Sequence, residues 1–212
     1  MVNNKNCNYV FGVNNSANNA CWIKKDLTNH NFKELLKQNY NFSETLSSLI
    51  INRGIPLEEI DNFINPKIEN LMPDPSMMKD MDNTVNRLIQ SIKNNETIGV
   101  FGDYDVDGAC SASLLKLFLS EIKIKTEVYI PDRFKEGYGP NLSAFKFLSN
   151  KGCKLILTVD CGITAFESIQ YAKKEGIDII VIDHHISGPD LPKAFSVINP
   201  NRIDDENNLG YL

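Results

Sequence analysis

From residue 97 onward the chain alternates short apolar runs with amphipathic stretches. The runs "TIGVFG", "IKTEVYI", "KLILTVD", "IDIIVID" and "FSVINP" are brief, apolar and partly β-branched, and read as buried strands. Between them, "ACSASLLKLFLSEI", "NLSAFKFLSNKG" and "TAFESIQYAKKEG" read as helices. In the first, Leu114 with Phe118 and Leu115 with Leu119 recur at four-residue spacing, while Lys116, Ser120 and Glu121 fall outside those pairs. Strands alternating with helices of this length predict an α/β fold on a parallel sheet with right-handed crossovers.

Upstream the pattern is helical and shorter. Residues 1 to about 42 are weakly patterned, with Trp22 and Phe32 as scattered anchors. Ser43 is placed to cap a helix carrying Leu46, Leu49 and Ile50, and Gly54 to end it. "PLEEIDNFINP" reads as a second short helix, opened by Pro56 and closed before Pro66, and a third runs from about Met81 to Asn94. By pattern, then, a weakly structured segment (1–42) and a helical lead-in (43–95) precede the α/β domain (96–212).

Composition narrows the function classes. With 212 residues, 42% of them hydrophobic and 23% charged, the chain suits one soluble globular domain or a domain plus part of a second. No apolar run approaches the roughly 20 residues that span a bilayer. The N-terminus lacks a basic stretch followed by an apolar one, so no secretory signal is read. Cys7, Cys21, Cys110, Cys153 and Cys161 form an odd set without a C-x-x-C pair, which favours reduced thiols and a cytoplasmic setting over a disulfide framework or a zinc site. A net charge of −5 has the wrong sign for binding nucleic acid by bulk attraction, so contact with a polyanion is expected to be local and metal-assisted. Of the 26 asparagines, 12 precede residue 42, a bias that carries no function by itself.

The chemistry begins at "GDYDVDG", residues 102–108. Three aspartates at alternate positions repel one another and call for a positive partner. An EF-hand is excluded: a loop opening at Asp103 would need a bidentate Glu at its twelfth position, where Leu114 stands, and a strand rather than a helix precedes it. Asp160 ends "KLILTVD", and Asp183, His184 and His185 follow "IDIIV". In a parallel sheet those strand ends share one edge, where ligands bind, so groups about 80 residues apart can converge. Aspartate oxygens with one or two imidazoles and no thiolate suit Mn²⁺ or Mg²⁺, and such a site points to phosphoester hydrolysis. Taken singly, each residue has a plainer reading: an aspartate at a strand end as a helix cap, the histidines as loop residues, Arg133 as a solvated turn.

In the order "DYDVDG", "TVDCGI", "DHH", the sequence resembles the DHH phosphoesterases. Within that superfamily, "VFGDYDVDGACSASLL", "IPDRFKEGYGPN" and "VIDHHISGPDLPKAFSVINPN", together with the lead-in "LSSLIINRGIPLEEIDNFINPKIENLMPDP", are similar to the RecJ family of single-strand-specific 5′-3′ exonucleases of DNA repair and recombination. The resemblance covers residues 43–212. It implies a metal set drawn from Asp103, Asp105, Asp107, Asp160 and His184, holding one or two Mn²⁺ or Mg²⁺ ions. It also implies that His185 meets the scissile phosphate, that Asp183 orients the imidazoles, and that Arg133 and Tyr138 hold a 5′-terminal phosphate. Asp107, Asp183 and His185 would carry the catalysis. Single-stranded DNA with a 5′ end is the implied substrate, with a repair helicase or single-strand-binding protein as partner and no membrane. Phe101 departs from the many DHH enzymes that have a histidine ligand at that position. The resemblance further implies that relatives continue past "NNLGYL" with another metal-binding aspartate and a second domain. The DHH domain would then be incomplete at its C-terminus, leaving apolar surface uncovered and stability marginal. A phosphoesterase acting on oligonucleotides or small phosphoesters, and a catalytically inactive remnant, are the alternative readings.

Overall fold

The structure, a computed structural model, describes residues 9–24, 30–207 and 209–210. It falls into two compact units, Met1–Met72 and Pro73–Leu212. The helix over Met81–Lys93, part of the lead-in by pattern, falls in the second unit and packs with the sheet.

In the first unit, α1 (His30–Tyr40) and α2 (Glu44–Arg53) are followed by a 3₁₀ turn at Leu57–Glu59, then by α3 (Ile60–Ile64) and α4 (Ile68–Leu71). The Ser43 hydroxyl caps α2 by accepting from the Leu46 amide at 3.2 Å, and Gly54 ends it at φ 69°. Helix α1 falls in the stretch expected to be weakly structured. Its apolar residues Phe32, Leu36 and Tyr40 recur every fourth position and close over Ile50 and Ile60, with Leu36 fully buried.

The second unit comprises α5 (Met81–Lys93), β1 (Thr97–Gly102), α6 (Val106–Glu121), β2 (Thr126–Tyr129), α7 (Leu142–Asn150), β3 (Cys153–Val159), α8 (Phe166–Lys174), β4 (Asp178–Ile182) and β5 (Ser196–Ile198). All strand pairs are parallel, in the order β2-β1-β3-β4-β5. The sheet is buried on both faces, which is why its strands read as nearly continuous apolar runs. Ile98, Val100, Leu155, Leu157 and Ile180 face Ala112 and Leu119 of α6 and the partly buried Leu88 and Ile92 of α5. Phe101, Ile156, Ile179 and Val181 face Phe145 and Leu148 of α7 and Ile169 of α8. Of the two apolar pairs read on α6, Leu115 and Leu119 turn inward, whereas Leu114 and Phe118 are 69% and 55% exposed.

Each helix returns to the next strand through a short turn (94–96, 122–125, 151–152, 175–177) that holds one residue with positive φ: Asn95, Lys123, Gly152 or Gly176. Those returns form the amino edge of the sheet. At the carboxyl edge, β1 sends its connection toward β2 on one side and β3 leads away on the other. Such a reversal opens a crevice at the strand ends. Among the described residues, no helix is long and apolar enough to cross a membrane, and Cys21, Cys110, Cys153 and Cys161 are free thiols. Cys7 lies outside the described residues.

Candidate active site

Asp103 is the first residue beyond β1. It is 1% exposed, and both its carboxylate oxygens are buried without a hydrogen-bond partner. The amides of Tyr104 and Gly139 face it and favour its charged form without completing a bond, while burial raises its pKa. Such a carboxylate is costly to bury unless something positive meets it. Asp105 is the N-cap of α6: its Oδ1 accepts from the amides of Asp107 at 3.0 Å and Gly108 at 3.1 Å. The cap and the helix dipole favour the ionised form there, and the Asp105 pKa is lowered, chiefly by the Gly108 amide.

Asp160 follows β3 in a left-handed conformation, φ 60°, and is 8% exposed. Burial, then the neighbouring Asp105 carboxylate, lifts its pKa to about 6. One oxygen from each of Asp103, Asp105 and Asp160 lies within 4.8 Å of the others, and the same holds for ligand atoms of Asp160, His184 and His185. Asp160 joins the two groups, with Oδ1 3.1 Å from Nε2 of His184.

Asp183, one residue past β4, has both oxygens engaged. Oδ1 accepts from the amides of His184 (2.7 Å) and His185 (3.1 Å) and sits 2.7 Å from Nδ1 of His185, while Oδ2 accepts from the Ile163 amide at 2.9 Å. It is an orienting group for the His185 ring and for the loop after β3, and the bond to it raises the His185 pKa. The His184 ring turns instead to Asp160. Asp107, in the exposed first turn of α6, belongs to neither ligand group. It lines a cavity of about 610 Å³ together with Asp160, Asp183 and His184.

The loop between β2 and α7 carries Arg133 and Tyr138. The Tyr138 hydroxyl is 3.3 Å from Nε2 of His185 and 3.5 Å from the Asp160 carbonyl oxygen. Arg133 places its guanidinium 5.3 Å from the Tyr104 ring centre, and Tyr104 meets Tyr138 edge-on at 6.4 Å. A line of planar groups thus runs from Arg133 through Tyr104 and Tyr138 to His185. Phe101 lies in the core between Tyr129 and Phe145 and is no part of the site.

Three supporting residues escaped the sequence reading. Glu136 accepts from the Tyr129 hydroxyl (2.7 Å), the Asp132 amide (2.8 Å) and the Asn141 side chain (3.0 Å), and so fixes the loop that carries Arg133 and Tyr138. Asn199, fully buried, donates to the His185 carbonyl at 2.9 Å, and the Asn201 side chain donates to that of His184. The signal for the asparagines was their place in "VINPN", just past a buried strand end on the ligand edge.

The pattern described as the DHH family, N-terminal domain, matches residues 97–209, more than half of the chain. The chain belongs to the DHH family. Its relatives include the single-stranded-DNA-specific exonuclease RecJ of Bacillus subtilis strain 168, 38% identical over 79% of the DHH chain and 21% of the relative. RecJ of Escherichia coli K12 is 35% identical over 75% of the DHH chain and 27% of the relative. The chain thus spans about a quarter of the length of these relatives. A manganese-bound RecJ exonuclease structure superposes on the DHH chain with a TM-score of 0.56 at 30% identity, covering 60% of this chain and 33% of that one. RecJ of Thermus thermophilus shares the fold, with a TM-score of 0.62 at 20% identity over 85% of this chain and 26% of that one.

The donor set fits a hard divalent cation. It offers unpartnered buried oxygens at Asp103, a carboxyl held well above its ordinary pKa at Asp160, an adjacent imidazole and no thiolate within the groups.

Proposed function

We propose that this chain is the metal-binding DHH portion of a RecJ-type exonuclease, hydrolysing phosphodiesters of single-stranded DNA from a 5′ end in DNA repair and recombination. The observation that carries the reading is the convergence of Asp103, Asp105, Asp160, His184 and His185 around buried carboxylate oxygens that no protein group satisfies. Asp103, Asp105, Asp160 and His184 would hold Mn²⁺ or Mg²⁺, with Asp107 on the wall of the cavity that Asp160 and His184 also line. A divalent ion in such a site supplies a water of lowered pKa and neutralises charge on the phosphate.

The chain's own residues do the rest. Asp183 fixes the His185 ring through Nδ1 and favours its protonated form, which donates to a phosphate oxygen. Arg133, held over Tyr104, and Tyr138 bind the terminal 5′ phosphate, which places the cut one nucleotide in from the end. Glu136 locks the loop that presents Arg133 and Tyr138 to that end. A repair helicase or single-strand-binding protein would present that end.

Incubation of the purified chain with Mn²⁺ and internally labelled single-stranded DNA bearing a 5′ phosphate, beside Asp160→Ala, tests the reading. The expected result is release of mononucleotides from the 5′ end that the substitution abolishes. Absence of Mn²⁺ binding, read by calorimetry, would overturn it.

A further inference from the structure

A second cavity adjoins the site on the α8 side of Tyr138. It measures about 480 Å³, within the range of small-ligand sites, and is lined by Tyr138, Gly139, Gly162, Thr164, Phe166 and Glu167 among others. Its two walls are tied together: the buried Ser168 hydroxyl on α8 donates to the Pro140 carbonyl of the facing loop at 2.8 Å. The space is therefore held open by the fold. Its backbone runs through Gly139 and Gly162, both at positive φ, and Gly162 packs so closely on Thr158 that a Cβ would come within 2.5 Å of that hydroxyl. One wall is the Phe166 ring, left 45% exposed at the first position of α8.

The charge of this cavity excludes phosphate as its occupant. No Lys or Arg lines it, and Glu167 carries a negative charge into the first turn of α8, where a bound anion would otherwise gain from the helix dipole. Arg133 is not among the lining residues and lies instead over Tyr104. The aromatic walls, the Thr164 hydroxyl and an acceptor carboxylate instead match a neutral planar ring with N–H donors.

We propose that this cavity binds the nucleobase of the 5′-terminal nucleotide, with Tyr138 as the partition between its phosphate and its base. The inference rests on the nuclease reading above and adds to it the place of the leaving nucleotide. Phe166 supplies the stacking face. Glu167 favours bases with a donor on their pairing edge.

The test compares binding of deoxycytidine 5′-monophosphate and of 2-deoxyribose 5-phosphate to the 212-residue chain in Mg²⁺ by calorimetry. The nucleotide is expected to bind at least about tenfold more tightly, the gain from one base–aromatic stack. Phe166→Ala is expected to remove most of that preference while leaving the sugar phosphate unaffected. Thr164→Trp, at an exposed position, is expected to do the same by filling the cavity. Equal affinity of the intact chain for both ligands would overturn the cavity assignment and leave the phosphoesterase reading standing. Binding of neither ligand, with no heat from Mg²⁺, would overturn both.

Discussion

Gly108 explains the glycine that closes the acidic turn. A Cβ there would lie 2.5 Å from both the amide nitrogen and the carbonyl oxygen of Asp103, and one on Gly102 would lie 2.8 Å from the Gly108 carbonyl. The first turn of α6 therefore rests directly on the residue whose carboxylate oxygens are buried without a partner. Gly108→Ala is expected to cost about 3 kcal/mol in urea unfolding, since nothing but backbone can yield, and to weaken Mn²⁺ binding with it. The site's acid–base balance gives a second expectation. With the Asp160 pKa at about 6, against about 3.9 unfolded, the folded state keeps a proton that the unfolded state has lost between those values. Stability of the metal-free protein therefore falls as pH rises from about 4 to 6. The raised His185 pKa adds stability that is full below about 6.5 and is lost as pH passes its folded value, a slope of the same sign. Melting temperature should drop as pH rises from about 4 to 6 without metal and drop further as the raised His185 pKa is passed, and Asp160→Asn should flatten the first of those falls. At this scale the sequence was legible in its carboxylates and histidines, because their spacing from strand ends fixes their edge. Glu136, Asn199 and Asn201 were not, since their roles depend on which distant amide or carbonyl they meet.

At the scale of elements, the strands were the easiest to read. A parallel strand buried on both faces is a continuous apolar run, and the edges of β1, β3 and β4 follow from it within a residue or two. Helix α1 was missed because its asparagine-rich surroundings hide an apolar stripe of every fourth residue. The attachment of α5 to the sheet could not be read in full either, because beside Leu88 and Ile92 it runs through polar groups. Arg87, 7% exposed, bridges Asp178 at the start of β4 (2.6 Å) and Glu96 just before β1 (2.9 Å), and Arg202 past β5 reaches Asp80 at the head of α5 (2.8 Å). Arg87→Ala strands two carboxylates. Because Asp178 is partly solvated, a loss of about 2 kcal/mol, below the value for a fully buried pair, is expected by chemical denaturation.

For the molecule as a whole, the exposed face of α6 stands out: Leu114, Leu117 and Phe118 are 69%, 65% and 55% exposed. Apolar surface of this kind promotes association. Light scattering across a concentration series should show self-association of the isolated chain, relieved by Leu117→Lys. A metal that binds only the folded form should raise the melting point, by the equivalent of about 2.7 kcal/mol at a hundredfold excess over Kd, and Asp160→Ala should erase that gain.

The amino edge of the sheet offers a practical handle. Its helix-to-strand returns, including those at Lys123 and Gly152, carry none of the candidate site residues and lie at the opposite end of the strands from every one of them. A reporter dye or an inserted epitope at Lys123 or Lys151 would accordingly ride on a part of the scaffold remote from the chemistry. The chain could then be immobilised or tracked by its label, with the label and the site each adjustable without disturbing the other.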